Sequence, residues 1–330
     1  MTDAALIDDW YPVAKLDELA CDTLHPARVL GMDVVVWKST DGELSVFEDR
    51  CPHRAVPLSK GHVAGGHMVC AYHGWAFDQR GSCVAIPAQP GRRAPSNSAV
   101  KRFQAREHVG LLWVCLGEPA QPPPEFPEWH DARFAKAFFG PYRFEASPFR
   151  VVENAFDVPH FAILHATQLG DAARAEMRPF EVVVQDGVLR MENIRIWQPN
   201  IDGMGTHGEV RYDHVLTRPL TLYTVKTFEA GRETALFAIT PVDHETAVAW
   251  GWAAFDHGKS LDVGAFRAYQ DALYEDDRAV VEAQRPRRLP LLPFSPTRHA
   301  QQPEVHLESD RGSVAYRRWL RALGIDFGVC

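Results

Sequence analysis

The chain has 330 residues, of which 46% are hydrophobic and 24% are charged, and its formal net charge is −8. This length suits two domains of ordinary size, and the acidic balance argues against a nucleic-acid-binding surface. The N-terminus lacks a basic segment followed by an apolar run, and no window approaches ~18 apolar residues, so we expect neither a signal peptide nor a membrane span. Six cysteines are too few for a disulfide scaffold. The composition therefore predicts a cytoplasmic globular protein.

The first third of the chain has the pattern of β-structure. Residues 10–118 contain β-branched and aromatic runs on both sides of Thr40-Asp41-Gly42, which predicts a hairpin, and a further strand over residues 110–117. Residues 119–129 are rich in proline, which continues neither a strand ladder nor a helix. We therefore predict an N-terminal domain over 1–118, a linker over 119–129 and a C-terminal domain over 130–330.

The pattern changes after the linker. Residues 147–171 have the apolar spacing of a helix, interrupted by Pro159. Residues 180–255 alternate as the strands of an antiparallel sheet do, and residues 263–285 have the strongest helical pattern in the chain. An all-β domain followed by a domain of helices and antiparallel strands predicts the α+β fold class.

Two short Cys–His loops form the first candidate site. Cys51-x-His53 is followed, after sixteen residues, by Cys70-x-x-His73. A structural zinc ion with two Cys and two His ligands is one interpretation. The other is a [2Fe-2S] cluster with two thiolates on one iron and two imidazoles on the other. Each loop supplies one ligand of each kind, which favours the cluster, because zinc modules usually pair like with like.

A second candidate site lies downstream. Asp157 and His160 are three residues apart and are predicted to share a helix face, whereas His165 lies roughly 140° from His160 in an ideal helix. Both imidazoles can therefore bind one metal only if the helix is distorted. The long helix contains Asp276 and Asp277. Two imidazoles and one carboxylate are the ligands of non-haem Fe(II) oxygenases, although such residues are also common on ordinary helix surfaces.

These motifs together resemble a known family. Residues 50–77, "RCPHRAVPLSKGHVAGGHMVCAYHGWAF", resemble a Rieske domain, and residues 154–165, "NAFDVPHFAILH", follow at the expected distance. The whole chain resembles the catalytic (alpha) subunit of the Rieske non-haem iron oxygenases. The resemblance implies an N-terminal all-β Rieske domain and a C-terminal helix-grip (START-like) domain with an antiparallel sheet. It also implies a [2Fe-2S] cluster, a mononuclear Fe(II) ion and O2 as co-substrate.

The resemblance also implies roles for individual residues. The expected cluster ligands are Cys51, His53, Cys70 and His73, and the expected ligands of the mononuclear iron are His160, His165 and Asp277, with Asp276 as the alternative to Asp277.

Asp157 is expected to connect the cluster of one subunit to the iron of the next in a head-to-tail homotrimer. It would accept hydrogen bonds from His73 across the interface and from His160 within its own chain. Asn154 resembles the amide that lies beside the iron in this family.

The implied partners are a separate reductase or ferredoxin and a small cyclic substrate, without nucleic acid or membrane. NAD(P)H would act only indirectly, because Gly203-x-Gly205-x-x-Gly208 lacks the strand-then-helix context of a dinucleotide site and is interpreted as a flexible loop. The basic stretch at 91–106 is either a solvated loop or a surface that receives an acidic ferredoxin.

The resemblance is strongest to the monooxygenase and demethylase branch, and the chain looks most like the saxitoxin-tailoring Rieske hydroxylases. This implies hydroxylation or oxidative demethylation of a small cyclic, aromatic or heterocyclic compound. The alternatives are a ring-dihydroxylating dioxygenase alpha subunit, a Rieske electron-transfer protein without catalytic iron, and a zinc-stabilised binding module.

Overall fold

The computed structural model describes residues 3–203, 205–256, 261–292 and 304–330. The chain divides into an N-terminal unit, Thr2–Pro124, and a C-terminal unit, Glu125–Cys330. The division falls inside the proline-rich segment. Among the described helices, none has both the length and the apolar character needed to cross a membrane.

The N-terminal unit is built from β-strands. It contains a short helix α1 (Ala4–Ile7) and the strands β1 (Tyr11–Lys15), β2 (Thr23–Val29), β3 (Met32–Lys38), β4 (Leu44–Glu48), β5 (His62–Ala64), β6 (His67–Val69), β7 (Ala76–Phe77), β8 (Cys83–Ala85), β9 (Arg102–His108) and β10 (Leu111–Cys115). Six strands form a sheet in the order β1-β10-β9-β4-β3-β2, and four form a smaller sheet in the order β5-β6-β7-β8. The predicted all-β character, the β3–β4 hairpin and the strand near residue 111 are confirmed.

The core of this unit continues directly into the Cys–His loops. Trp37, Phe47 and Phe77 are fully buried and form one cluster with Cys51 and Cys70. Cys51 follows β4, and Cys70 lies between β6 and β7. Both thiols are therefore held by the packed core of the unit.

The C-terminal unit contains a seven-stranded antiparallel sheet. Its strands are β11 (Ala135–Phe144), β12 (Glu181–Gln185), β13 (Val188–Gln198), β14 (Gly208–Arg218), β15 (Thr221–Phe228), β16 (Gly231–Asp243) and β17 (Thr246–Asp256), in the order β11-β17-β16-β15-β14-β13-β12. Its helices are α2 (Pro148–Phe156), α3 (Val263–Val281) and α4 (Arg311–Ala322). Buried and exposed positions alternate along β14 and β15, so one face of the sheet is turned to the helices. The predicted α+β class is confirmed. The glycine-containing loop at 203–208 joins β13 to β14, and its Met204 lies outside the described residues.

The prediction that Asp157 and His160 share a helix face is wrong. Helix α2 ends at Phe156, and Asp157 caps it with extended backbone. His160 belongs to a separate 3-10 turn over Pro159–Ala162. The reason is Pro159, which has no N–H to continue the hydrogen-bond ladder of α2. Helix α3 forms where it was expected but ends at Val281, before the proline at 286.

Helix α4, which the sequence patterns did not reveal, is joined to α2 by buried charges. Nε and Nη2 of Arg317 each donate a 2.7 Å hydrogen bond to Glu153 of α2. Glu304 accepts hydrogen bonds from Nη1 of Arg317 at 2.5 Å and from Arg150 of α2 at 2.8 Å. The side chain of Arg317 is only 4% exposed, so these contacts satisfy a guanidinium that would be costly to bury alone.

Candidate metal centres

The two Cys–His loops adopt the same backbone turn. In the first loop, the N–H of Cys51 donates to the carbonyl of Val56, and the N–H of Ala55 donates to the carbonyl of Cys51, both at 2.9 Å. In the second loop, the N–H of Gly74 donates to the carbonyl of Cys70 at 3.0 Å, as Ala55 does to Cys51. The N–H of Cys70 donates to the carbonyl of Trp75, which lies five residues further on, just as the N–H of Cys51 donates to Val56. Ala55 and Gly74 both have positive φ, 58° and 69°. The turn therefore presents each cysteine from an equivalent backbone position.

The four side chains of these loops converge. Cys51 and Cys70 are each 2% exposed, and the rings of His53 and His73 lie 4.4 Å apart between centroids. Trp75 stacks on His53 at 4.6 Å and shields it. Nδ1 of His53 is buried without a hydrogen-bond partner among the described residues.

Burial also raises the pKa of the Cys51 thiol to about 11, with the neighbouring Cys70 adding to the shift. Two buried thiols and a buried imidazole nitrogen without a hydrogen-bond partner among the described residues lie in one place, which fits a metal cluster. Burial favours the protonated thiol, and binding to the metal would replace that proton.

The second site gathers residues from α2, the 3-10 turn and α3. Nε2 of His165 lies 3.0 Å from Oδ1 of Asp277, and Nε2 of His160 lies 3.5 Å from the same oxygen. One ligand atom from each of these three residues lies within 4.8 Å of the others. Nδ1 of His160 lies 2.9 Å from Asp157, and the amide of Asn154 donates a 2.9 Å bond to Asp277. The structure thus brings Asp277 of α3 together with the four residues singled out near the end of α2: Asn154, Asp157, His160 and His165.

Irregular backbone between α2 and β12 allows both imidazoles to face α3. The 3-10 turn Pro159–Ala162 places His160, and a second turn, in which Leu169 N–H donates to the carbonyl of His165, places the other imidazole. Gly170 packs so closely that a Cβ atom there would lie 2.6 Å from Ala162. The expected distortion of the helix is confirmed.

Asp276 and Asp277 lie differently with respect to the histidines. The side chain of Asp277 is 17% exposed and points between both imidazoles, whereas that of Asp276 is 57% exposed. Asp276 approaches only the outer nitrogen of His165, Nδ1, at 3.7 Å. Only Asp277 is therefore placed to complete a three-residue metal site.

The charges at this site favour a cation. Burial lowers the pKa of His160, but the carboxylates of Asp157 and Asp277 outweigh it and raise that pKa to about 9. Burial likewise raises the pKa of Asp277, but the two histidines outweigh it, so the pKa is lowered overall. Nε2 of His160 is buried without a hydrogen-bond partner among the described residues. Two imidazoles around an ionised carboxylate, one of them held by a second carboxylate, fit a divalent metal ion.

The three residues line an open cavity, and the space between its walls is about 560 Å³ with the solvent at its mouth included. Its walls are mainly apolar and include Phe144, Phe161, Leu169, Phe237, Ile239 and Leu273. Gln270 and Tyr274 of α3 also line it. Sequence reasoning did not single out these two residues, although counting back one and two turns from Asp277 along the predicted helix would have found them.

A buried Cys–His cluster site in a β-unit, and a two-histidine, one-carboxylate site against an antiparallel sheet, define an iron–sulfur oxygenase. The Rieske [2Fe-2S] domain family matches residues 9–104. The vanillate O-demethylase oxygenase C-terminal domain family matches residues 144–324. The chain belongs to the Rieske non-haem iron oxygenases, in the group with this C-terminal domain.

Similar proteins agree with this assignment. Methylxanthine N1-demethylase NdmA of Pseudomonas putida is 29% identical over 95% of this chain and 88% of its own. The putative toluene-4-sulfonate monooxygenase system iron-sulfur subunit TsaM2 of Comamonas testosteroni is 30% identical over 94% of each chain. The structure of NdmA with caffeine has a TM-score of 0.80 at 27% identity, covering 96% of this chain and 90% of that one. Dicamba monooxygenase bound to dicamba shares the fold, with a TM-score of 0.77 at 23% identity and 98% coverage of each chain.

The family match decides between the zinc ion and the [2Fe-2S] cluster, which the spacing of the Cys–His loops had left open. The N-terminal site is a Rieske [2Fe-2S] site, so the zinc interpretation is wrong. The protein is an enzyme of the Rieske monooxygenase and demethylase group, which uses the cluster, a mononuclear iron and O2 and takes electrons from a separate reductase.

Proposed function

We propose that this enzyme hydroxylates or oxidatively demethylates a small planar heterocyclic or aromatic compound. The observation that carries the proposal is the position of His160, His165 and Asp277 at the end of a cavity with apolar walls. When bound there, the mononuclear iron supplies activation of dioxygen for insertion of an oxygen atom into a C–H bond. The apolar walls exclude water and bury the flat faces of a ring.

Gln270 supports a heterocycle with a hydrogen-bonding edge. It lies seven residues before Asp277 on α3, so both side chains occupy one helix face, roughly 10 Å apart along the axis. Gln270 is among the residues that line the cavity. The amide N–H groups can donate to the C=O groups and the unsubstituted ring nitrogen of such a heterocycle, and the amide oxygen can accept from an N–H group where the ring carries one. The neutral heterocycles named for NdmA structures, caffeine and theobromine, are the nearest candidate substrates.

Within the site, we assign ligand roles to the residues that converge. The proposed cluster ligands are Cys51, His53, Cys70 and His73, and the proposed iron ligands are His160, His165 and Asp277. Asp157 fixes the ring of His160 by its hydrogen bond, and Asn154 fixes Asp277.

We also propose a head-to-tail homotrimer in the cytoplasm, in which His73 of one subunit approaches Asp157 of the next. Exposed apolar side chains flank both positions and support this interface: Tyr72, beside His73, is 63% exposed, and Ile163, between the two histidine ligands of the iron, is 68% exposed. Asp157 and His160 also line a second open cavity, whose walls include Arg317 and Glu153. Sedimentation of the purified enzyme tests the trimer, and a monomer with full activity would exclude it.

The substrate is tested by turnover with a surrogate reductase. We expect caffeine or theobromine to cause oxidation of the reduced cluster and a product of altered mass, whereas dicamba and toluene-4-sulfonate, which are anions, should not. Gln270→Leu should raise KM for the heterocycle by about 10–100-fold, the equivalent of one or two unmade hydrogen bonds. Turnover of the anions alone would contradict a neutral heterocyclic substrate in favour of an anionic aromatic one, and an unchanged KM in Gln270→Leu would contradict the role of the amide.

A further inference from the structure

A stacked pair of tyrosines extends from the cavity wall. Tyr274, one helical turn before Asp277, lines the cavity. The ring of Tyr142, on β11, lies 4.0 Å from that of Tyr274, with an angle of 19° between the planes. The hydroxyl of Tyr142 donates a 2.6 Å hydrogen bond to Oδ1 of Asp271, whose side chain is 49% exposed. A continuous line of contacts therefore runs from the cavity to a carboxylate at the surface of the unit.

The local structure of β11 brings Tyr142 to this place. The strand has an irregularity between Phe139 and Tyr142 in its pairing with β17, and such bulges redirect side chains. Gly140 has a φ of +86°, and a Cβ atom there would lie 2.8 Å from the carbonyl oxygen of Ala249. Arg267 of α3 donates a 3.1 Å hydrogen bond to the carbonyl of Gly140. The bulge, the glycine and the arginine together hold the ring of Tyr142 against α3.

We propose that Tyr142 and Tyr274 form an outlet for oxidising equivalents that arise at the iron site when dioxygen is activated without oxidation of a substrate. In this step Tyr142 would give up one electron toward the iron site through the stacked ring of Tyr274. The phenolic proton of Tyr142 moves to Oδ1 of Asp271, leaving a neutral tyrosyl radical and a protonated carboxyl group. A soluble one-electron reductant such as a thiol then restores the phenol as Asp271 returns the proton.

The hydrogen bond from Tyr142 to Asp271 distinguishes a route for electron transfer from two tyrosines that only pack together. A phenol that loses an electron becomes a strong acid, so oxidation inside a protein needs a base already in contact with the hydroxyl. Burial, together with Asp271, raises the pKa of Tyr142, so its phenol stays protonated until it is oxidised. A phenylalanine would fill the same stack but has no proton to transfer. This inference depends on the iron and dioxygen chemistry of the family and not on the identity of the substrate.

The test compares Tyr142→Phe and Asp271→Asn with a matched control, Tyr223→Phe. Tyr223 also donates to a carboxylate, Glu128 at 2.7 Å, but its ring lies against Phe126, and neither residue lines the cavity. Each reduced, iron-loaded protein is exposed to O2 without substrate and frozen for electron paramagnetic resonance. Peptide mass spectrometry then locates oxidised residues. Iron and cluster contents are measured first, so that a variant with altered loading is recognised.

We expect a tyrosyl radical in the wild type and in Tyr223→Phe, and its loss in Tyr142→Phe and Asp271→Asn. Oxidation of cavity residues such as Phe161 should increase in the two variants that lose the radical, while metal contents stay unchanged. An equal radical signal in Tyr142→Phe, or the same signal in iron-free wild type, would overturn the proposal. Because no substrate is present, failure of this test is distinct from failure of the proposed substrate.

Discussion

Asp157 holds His160 by a 2.9 Å contact between Oδ2 and Nδ1, and this contact sets the orientation of the ring. With Nδ1 turned to Asp157, Nε2 faces Asp277 and is the nitrogen available to a metal. The side chain of Asp157 is also partly exposed and lines the second cavity beside α2. One carboxylate therefore contacts a proposed iron ligand and remains accessible to a second molecule.

Replacement of that carboxylate should separate electron transfer from metal binding. In Asp157→Asn we expect both metals to remain, while single-turnover product formation falls about 10–100-fold, as for other partners that orient a metal-bound histidine. Cluster reoxidation and product yield are followed in one rapid-mixing experiment. Asp171→Asn, a carboxylate that caps a neighbouring 3-10 turn, is the control and should behave as wild type. A normal product yield in Asp157→Asn would exclude the bridging role.

The two adjacent aspartates of α3 should differ sharply in iron binding. Asp277→Ala removes the carboxylate that faces both imidazoles, so the iron content should fall from about three to about two atoms per chain, with the cluster intact. Asp276→Ala removes a more exposed neighbour and should keep all three. Iron analysis together with the cluster absorbance gives both values. Two irons per chain in the wild type would instead indicate an electron carrier.

The iron-free protein should lose stability as the pH rises. The pKa of His160 is about 9 in the folded protein and about 6.5 when exposed, so its protonated form stabilises the fold below about pH 6.5. This contribution, on the order of 3 kcal/mol, should be lost as the pH rises through 9. Urea unfolding of iron-free protein at pH values from about 6 to about 10 measures it.

Two substitutions check the source of that pH dependence. His160→Asn should remove the decline in the free energy of unfolding, because it leaves no group to titrate at this position. His130→Asn, in the same unit, should leave the decline in place. An identical slope in His160→Asn and wild type would show that another group is responsible.

Arg317 should be essential to the stability of the C-terminal unit. Arg317→Met leaves Glu153 buried without its bidentate partner, which should cost about 3–5 kcal/mol of unfolding free energy. Arg318→Met, at the next and exposed position of α4, should change it by less than about 0.5 kcal/mol. Urea denaturation of both variants measures the two changes in unfolding free energy. Equal changes in Arg317→Met and Arg318→Met would contradict a stabilising role of the buried pair.

The Cys–His loops and the pair His160 and His165 could be recognised from spacing, because Cys–His pairs and an Asp-x-x-His-x-x-x-x-His segment are local in sequence. The carboxylate on α3 lies more than a hundred residues away and was indicated only by the family resemblance. The choice between Asp276 and Asp277 could not be made from spacing. Adjacent helical residues point about 100° apart, and only the packing of α3 fixes which of the two faces the histidines. Pro159 was recognised from the sequence as an interruption of the helix. Only the backbone shows that α2 ends before Asp157 and that His160 lies in a separate 3-10 turn.

Contacts between distant segments were beyond the reach of sequence patterns. Tyr142 and Tyr274 are separated by 132 positions in the chain, and their stack depends on a strand irregularity and on Gly140. Helix α4 contains four arginines among its twelve residues, and nothing local shows that Arg317 is the one buried against α2. Such pairs depend on how elements dock, which hydrophobic periodicity does not specify.

The buried pair between α4 and α2 has a consequence for how the enzyme responds to its metal. Glu153 is anchored to α4, and the next residue, Asn154, holds the iron-site carboxylate. An iron ion that stabilises α2 through this contact would also stabilise the docking of α4, and such a coupling is reciprocal and equal in both directions. Resistance of the C-terminal helix to proteolysis thus becomes an external reporter of whether the metal site is filled.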